Sequence, residues 1–277
     1  DALDQRRMAA LSNSCCIFAR ENESYAYLET LGLTNIKQSL DVALLAHDHF
    51  RQLARQLVPP TQHQRVTQGD PQHILISLRA TNMRQPTPGQ KQGNQPLINA
   101  LEKVHRLYKM PVTVYSQHEK DNALAAHLAS TFRNPDATLI ISTQVGSLER
   151  ALAILASAKG IITDRLHVGI LALSVGVPVF FFGSAGTGHK VRATARSIGW
   201  PYVWDYSVKP DDEQLREVLG HFVDSVAGHG DKSVHDAVDE TIDNLEHERD
   251  NFLENIGDCI GRGNRTNREP PRERRRR

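Results

Sequence analysis

The sequence predicts an α/β fold in which a parallel, Rossmann-like sheet carries helices on both faces. Short runs of β-branched or aromatic residues alternate with amphipathic segments along most of the 277 residues, which is the pattern of successive βαβ units. Two of the central runs, residues 74–76 and 180–182, are apolar at every position. Such runs are typical of strands that are buried on both sides.

The chain begins at once in a helical pattern, at Asp1 and without a signal-peptide pattern. Strands are predicted where the short β-branched or aromatic runs occur, at residues 15–19, 36–40, 74–78, 112–116, 138–142, 160–163, 178–182 and 202–204. Helices are predicted between them, at residues 23–31, 50–57, 96–108, 122–132, 147–158, 168–175, 190–198 and 212–226.

A polar segment at residues 59–71 divides the chain. It opens with paired prolines, contains three glutamines and closes with Gly69-Asp70-Pro71, a composition that indicates an interdomain linker. Only two βα units precede it, so we expect residues 1–58 to be the C-terminal remnant of a truncated N-terminal Rossmann-like domain. Residues 72–230 hold enough units for a complete Rossmann-like domain. Residues 231–260 have the apolar spacing of one long helix that packs along the body.

The charge is unevenly distributed. Residues 261–277 contain eight arginines and two glutamates, a local charge of +6, whereas the whole chain carries only +1. A segment with this charge and no apolar residue cannot bury enough surface to offset its ordering entropy, so we expect a disordered tail. Binding of RNA or anionic lipid by the tail stays open as an alternative to a solvated bystander, and no specific nucleic-acid partner is predicted.

Several classes of protein are excluded by composition. Three cysteines, the adjacent Cys15 and Cys16 and the remote Cys259, give neither a disulfide framework nor metal-ligand spacing, so a reducing compartment is the default expectation. The thirteen histidines include no His-Glu-x-x-His pair, and we expect no metal. The longest apolar stretch, 160–183, carries an aspartate, an arginine and a histidine near its start, so no membrane span is predicted.

Ligands of open parallel sheets bind outside the carboxyl ends of the strands, so the residues after each strand are candidates for a site. In residues 160–167 a strand runs straight into Asp164, Arg165 and His167, which precede an apolar helix. These groups are predicted to project into the crevice, because burial against the sheet would remove them from water. Arg165 offers a charged fork for a carboxylate or phosphate, and His167 a titratable group on the first helical turn. One structural alternative stays open: Arg165 pairs with Asp164, and His167 caps the helix.

A glycine-rich loop follows the strand at 178–182. Its glycines, Gly186 and Gly188 among them, would let backbone N–H groups approach an anion at the start of a helix that carries Lys190. The loop is not a Walker A motif, because His189 separates Gly188 from the lysine, which disfavours a nucleotide triphosphatase. The alternative is a simple glycine turn.

Arg79 ends the strand at 74–78 and is predicted to face the interdomain cleft, ahead of a long loop of the kind that covers ligands. A solvent-facing arginine is the alternative.

In this order, these segments resemble the polysaccharide pyruvyl transferase family. The main likeness is Thr163-Asp-Arg-Leu-His167, which is followed by an apolar helix, a strand and Lys190. The N-terminal segment Ala19-Arg-Glu-Asn-Glu-Ser-Tyr25 is similar to the part that ends the family's first domain, and the likeness covers residues 15–205.

The resemblance implies a fold like the C-terminal half of the two-domain GT-B-type glycosyltransferases. It also implies transfer of the enolpyruvyl group of phosphoenolpyruvate to hydroxyls of a saccharide or glycan acceptor, as a cyclic ketal, with release of phosphate and without a cofactor. Carried over by position, Arg165 and His167 would be catalytic, with His167 as general acid. The expected substrate-binding residues are Arg79, Lys190, Asp164, Gly186 and Gly188.

Two other functions stay open. A nucleotide-sugar glycosyltransferase or epimerase of the same architecture would use the glycine-rich loop and Arg165 to bind a diphosphate. A catalytically inactive saccharide-binding protein would have no turnover.

Overall fold

A computed structural model describes residues 2–57, 73–80, 95–109, 111–132, 138–140, 146–183, 188–206, 208, 211–228 and 233–266. The chain divides into two compact units. The smaller consists of Asp1–Asp41 with Glu246–Arg277, and the larger of Val42–Leu245. The predicted linker at 59–71 and residues 267–277 of the predicted tail lie outside the described ranges.

The smaller unit contains two parallel strands, β1 (Ile17–Ala19) and β2 (Ile36–Gln38). Helix α1 (Ala2–Ser12) precedes them, and helix α2 (Asn22–Thr30) connects them. Phe18 on β1 is paired with Lys37 on β2. Both strands and both helices lie where the sequence pattern predicts them.

The larger unit is built on a sheet of six parallel strands. Their order is β5-β4-β3-β6-β7-β8, so the chain adds strands first on one side of β3 and then, after crossing back, on the other side. The predicted Rossmann-like parallel sheet is confirmed. The six strands are β3 (Ile74–Ser77), β4 (Val112–Tyr115), β5 (Thr138–Ile140), β6 (Gly160–Thr163), β7 (Val179–Gly183) and β8 (Val203–Asp205).

Helices cover both faces of this sheet. Phe180 packs against Phe222, with 5.7 Å between the ring centroids. The next residue, Phe181, points to the opposite face and packs against the helix that contains Gly169. The helices are α3 (Val42–Leu45), α4 (His47–Leu57), α5 (Gln95–Tyr108), α6 (Asn122–Thr131), α7 (Leu148–Ala156), α8 (Leu166–Ser174), α9 (Gly188–Ser197), α10 (Asp212–Ala227) and α11 (Ser233–Thr266).

Local signals set the ends of α10. The carboxylate of Asp211 accepts hydrogen bonds from the backbone N–H groups of Glu213, at 3.1 Å, and Gln214, at 2.9 Å. This satisfies donors that the first turn of a helix otherwise leaves open. At the other end Gly228 has φ of 83°, a left-handed conformation that favours glycine.

Residues 42–57 belong to the larger unit, whereas the sequence predicted them as part of the N-terminal remnant at 1–58. Leu44, Leu45 and Ala54 of α3 and α4 are buried, and these helices pack against α7 and α8. The single turn of α3 was not predicted, since an apolar repeat needs several turns to be recognised.

The last helix, α11, is longer than predicted. Its residues Val234, Val238, Ile242 and Leu245 are buried, which confirms this part of the apolar stripe as core. The helix continues to Thr266, into the segment expected to be disordered, because adding residues to an existing helix costs far less than starting one. Within the described ranges no helix is both long enough and apolar enough to cross a membrane.

Gly169→Ala tests the close contact between α8 and β7. A Cβ at Gly169 would overlap the ring of Phe181, which is fully buried. We expect urea denaturation to show a free energy of unfolding lower by about 1–3 kcal/mol. Gly220→Ala on α10 is the matched control, because a Cβ there meets nothing within 4 Å, and it should be neutral or stabilising by up to about 1 kcal/mol. Equal effects of the two substitutions would contradict this packing.

His73, just before β3, makes the stability of the fold sensitive to acid. Burial lowers the pKa of its imidazole, and its buried Nε2 makes no hydrogen bond to the described residues. In the unfolded chain this group titrates at about 6.5, so below that pH the unfolded state binds a proton that the folded state resists. The free energy of unfolding should therefore fall as the pH is lowered from about 7 to about 5.

Urea denaturation across this pH range should show a shallower decline for His73→Gln than for the natural chain. His127→Gln, on the exposed surface of α6, is the matched control. A decline in the His73 variant as steep as in the control would refute the assignment to His73.

Candidate active site

The strand order reverses between β3 and β6, which lie side by side with Ser77 opposite Thr163. At such a switch point the chain leaves the two strands in opposite directions, and the resulting crevice is the common ligand site of this architecture. Arg79 follows β3 and Arg165 follows β6. The topology therefore brings these two predicted site residues to the same place.

The hydroxyl of Thr163 ties the ends of the two strands together. It donates a hydrogen bond to the Ser77 carbonyl at 2.7 Å and accepts one from the Arg165 backbone N–H at 3.0 Å. Thr163 and Ser77 are fully buried, so the bond between them is shielded from water. The backbone that carries Arg165 is held in place by these bonds.

Asp164 is fully buried. Its Oδ1 accepts the backbone N–H of Arg79 at 2.9 Å. A hydrogen bond from an amide to a charged carboxylate is stronger than one between neutral groups. Asp164, which we expected at the substrate, thus holds the backbone of Arg79.

The guanidinium of Arg165 pairs with the carboxylate of Asp121, a partner that the sequence did not indicate. Asp121 ends a short 3-10 turn (Glu119–Asp121) after β4 and is 2% exposed. One of its oxygens pairs with the guanidinium of Arg165, and the other accepts the N–H of Ala80 at 2.9 Å. One buried carboxylate therefore connects the segments that follow three adjacent strands.

Arg79 and Arg165 lie close enough for their charges to interact. Burial, followed by the like charge of Arg79, lowers the pKa of Arg165 to about 10, while Tyr115 acts in the opposite direction. Arg165 remains charged at neutral pH, and its buried Nε makes no hydrogen bond to the described residues. Two like charges held together in a partly buried crevice favour an anion with several negative charges.

Tyr115, the last residue of β4, adds a buried phenol beside this pair. Burial raises the pKa of its hydroxyl, and the charge of Arg165 partly offsets that shift. The phenol is protonated at neutral pH and can therefore donate a hydrogen bond.

Helix α8 begins at Leu166, and Arg165 occupies its capping position without a capping hydrogen bond from the side chain. His167 is the second helical residue and is exposed, so it lies on the first turn, as predicted. The N–H groups and the dipole at the start of this nine-residue helix attract an anion.

Lys190 lies on the first turn of α9, which follows β7, the neighbour of β6. Its side chain is exposed. Gly188 begins this helix, and Gly186 lies outside the described residues. The topology places Lys190 at the same edge of the sheet as the two arginines, one strand further along.

Sequence reasoning missed Asp121 and Tyr115. We selected the segments after three strands for their unusual composition, whereas residues 116–121 form an ordinary polar segment. The available signal was position: β4 is next to β3 in any sheet of this order, so the residues that end and follow β4 were candidates as well.

The sequence around this site matches a known protein family. The family profile described as polysaccharide pyruvyl transferase matches residues 2–186, more than half of the chain, and the match includes Arg79, Arg165 and His167. The chain belongs to the polysaccharide pyruvyl transferase family. It is thus a member of a transferase family, and the resemblance seen in the sequence is confirmed. A search of curated proteins found no match.

Solved structures share the fold of this family member. They include UDP-GlcNAc 2-epimerase from Neisseria meningitidis (TM-score 0.55, 11% identity, 88% of this chain and 60% of that chain covered). The corresponding protein from Methanocaldococcus jannaschii gives a TM-score of 0.51 at 16% identity (81% and 61% covered). A putative one from Listeria monocytogenes gives 0.55 at 15% identity (88% and 60% covered). At these identities the likeness concerns the fold alone, and it confirms the predicted GT-B-like architecture. The chain spans 60 or 61% of the length of these proteins.

Asp121→Ala tests the ion pair on which Arg165 depends. It would leave the partly buried guanidinium without this carboxylate and the N–H of Ala80 without the carboxylate oxygen that accepts it. We expect urea denaturation to show a free energy of unfolding lower by about 2–4 kcal/mol, and Asp121→Asn, which keeps an oxygen for Ala80, to lose less. Asp4→Ala is the control, because its ion pair with Arg7 spans 3.6 Å on the exposed surface and should contribute under about 1 kcal/mol. Similar losses from Asp121→Ala and Asp4→Ala would argue against a stabilising pair.

Proposed function

We propose that this family member transfers the enolpyruvyl group of phosphoenolpyruvate to two hydroxyls of a saccharide, forming a cyclic pyruvate ketal and releasing phosphate. The observation that carries the proposal is the pair of cations, Arg79 and Arg165, held at the switch point beside the first turn of α8. The family match supports a transferase that acts on a polysaccharide.

The donor fits the charge of this crevice. Phosphoenolpyruvate carries about three negative charges near neutral pH, divided between a carboxylate and a phosphate. The guanidinium of Arg165 is suited to bind either group through parallel hydrogen bonds. Arg79, Lys190 and the N-terminus of α8 supply further positive potential. We expect neither a cofactor nor a metal, because the chain's own cations can balance the donor.

The reaction requires one proton at the methylene carbon of the donor and the loss of one proton from each acceptor hydroxyl. Protonation of the methylene carbon makes the enol carbon electrophilic, and the first hydroxyl adds there. Phosphate then leaves with the electrons of its carbon–oxygen bond, and the second hydroxyl closes the ketal. The methyl group keeps one hydroxyl proton and phosphate takes the other. The cations of the site stabilise the departing phosphate.

His167 is the proposed general acid. An imidazole can hold and release a proton near neutral pH. His167 is exposed and lies two residues after Arg165, so a donor held by the guanidinium would present its methylene carbon nearby. His167 would give its proton to that carbon and recover one from an acceptor hydroxyl.

Two alternatives would use the same crevice. A nucleotide sugar would place a diphosphate on these cations, and an inactive protein would bind a saccharide without turnover. The family match favours the transferase, and the following experiment separates the three.

The test incubates the whole chain with phosphoenolpyruvate and a panel of saccharides, and it follows phosphate release together with the mass of the acceptor. Calorimetric titration with phosphoenolpyruvate alone measures donor binding independently of the acceptor, and UDP-GlcNAc is titrated in parallel. The proposal expects binding of phosphoenolpyruvate and, with a suitable acceptor, one phosphate released for each ketal formed. Binding of UDP-GlcNAc but not of phosphoenolpyruvate would overturn it.

Arg165→Ala should weaken binding of phosphoenolpyruvate about 10- to 100-fold, because a hydrogen bond to a charged group contributes about 1.5–3 kcal/mol. His167→Ala should leave this binding nearly unchanged and lower turnover by about 10²- to 10⁴-fold. Arg106→Ala is the matched control, because the Arg106 side chain is 78% exposed on α5, near the amino ends of the strands. Equal loss of binding in the Arg106 and Arg165 variants would remove Arg165 from the donor site.

A further inference from the structure

We propose that Cys16 and Cys259 form a disulfide bond that joins the two chain segments of the smaller unit. This unit combines Asp1–Asp41 with Glu246–Arg277, segments that are remote in sequence. A small unit buries little apolar surface and gains much from a covalent link. The spacing of the cysteines in the sequence did not predict the pair, because it arises from the way α11 packs on β1.

The side-chain periodicities of strand β1 and helix α11 place the two cysteines opposite each other. Cys16 directly precedes β1, and Phe18 follows two residues later, so strand alternation places both on one face. Phe252 and Cys259 are seven residues apart on α11, which is about two helical turns, so they also share a face. The rings of Phe18 and Phe252 are 4.8 Å apart. The face of β1 that carries Phe18 therefore contacts the face of α11 that carries Phe252, and the cysteines on these two faces lie next to each other.

A second contact sets the register between helix and sheet. Lys37, the partner of Phe18 on β2, donates a hydrogen bond to the side chain of Asn255. Asn255 lies between Phe252 and Cys259 at helical spacing, on the same side of α11. Two contacts of different chemistry thus hold the helix in the position that faces Cys259 toward Cys16.

The two thiols also interact directly. Cys259 is 5% exposed. Burial, and then the hydrogen bond and charge of the Cys259 thiol, raise the pKa of Cys16 to about 11, while Lys37 acts in the opposite direction. The thiolate is the reactive form of cysteine, so the pair should react slowly at neutral pH and faster in mild alkali.

The oxidant in this reaction is a small-molecule disulfide such as oxidised glutathione. One cysteine thiolate attacks it and displaces one glutathione thiolate, giving a mixed disulfide. The second cysteine thiolate then displaces the other glutathione and closes the bond. The protein loses two protons and two electrons, and the reagent is reduced to two glutathione thiols.

The experiment uses the whole chain, reduced, freed of reductant and incubated with oxidised glutathione at pH about 8.5, where more thiolate is present. Remaining thiols are alkylated, and peptides are mapped by mass spectrometry without reduction. We expect one peptide containing Cys16 linked to one containing Cys259. The melting temperature should rise by about 5–10 °C relative to the reduced chain, because the link closes a long loop.

Variants assign the sulfur atoms, since Cys15 and Cys16 share one peptide. Cys15→Ser is the matched control and should keep both the linked peptides and the rise in melting temperature. Cys16→Ser and Cys259→Ser should lose both. The proposal would be overturned by a link that persists in Cys16→Ser or by its absence in Cys15→Ser.

Discussion

The partly buried ion pair between Asp121 and Arg165 is the interaction on which the arrangement of the site depends. A guanidinium removed from water is costly unless a carboxylate compensates it, and Asp121 does so while also accepting the N–H of Ala80. Asp164 performs a similar task for the backbone of Arg79. Asp121 therefore compensates the guanidinium of Arg165, and Asp164 fixes the backbone of Arg79. The two carboxylates thus hold the segments that carry both arginines.

These contacts also connect the segments after β3 and β6, which the order of strands in the sheet would otherwise leave apart. At a switch point the segments after β3 and β6 run apart, which opens a crevice but leaves its walls without support from each other. The hydroxyl of Thr163 and the carboxylates of Asp164 and Asp121 bridge the strand ends with buried or partly buried hydrogen bonds. Groups fixed in this way need no rearrangement when charge develops in a reaction, which is the main source of electrostatic catalysis.

The sequence predicted the sheet well, because the chemistry of a buried parallel strand is local. Continuous apolar runs of aromatic or β-branched residues, such as residues 180–182, are typical of strands covered on both faces, and β6 occupies the predicted residues. The pairing of Asp121 with Arg165 could not be predicted, since it joins residues 44 positions apart through the lateral order of strands. For the same reason, the sequence placed Asp164 at the end of a strand and predicted that it projects into the crevice, whereas its carboxylate is buried and accepts the backbone N–H of Arg79.

The described residues of the candidate site divide into buried residues that fix the backbone and exposed residues that a ligand can reach. Thr163, Asp164 and Asp121 are buried, whereas His167 and Lys190 are exposed at the starts of their helices. This division suits the proposed function, because a group that exchanges protons with a substrate must be reachable, and a group that fixes geometry works best away from water. Gly169 helps to fix the position of α8. The lack of a side chain lets the helix approach Phe181 closely, which keeps its first turn, with His167 and the backbone N–H groups, fixed at the end of β6.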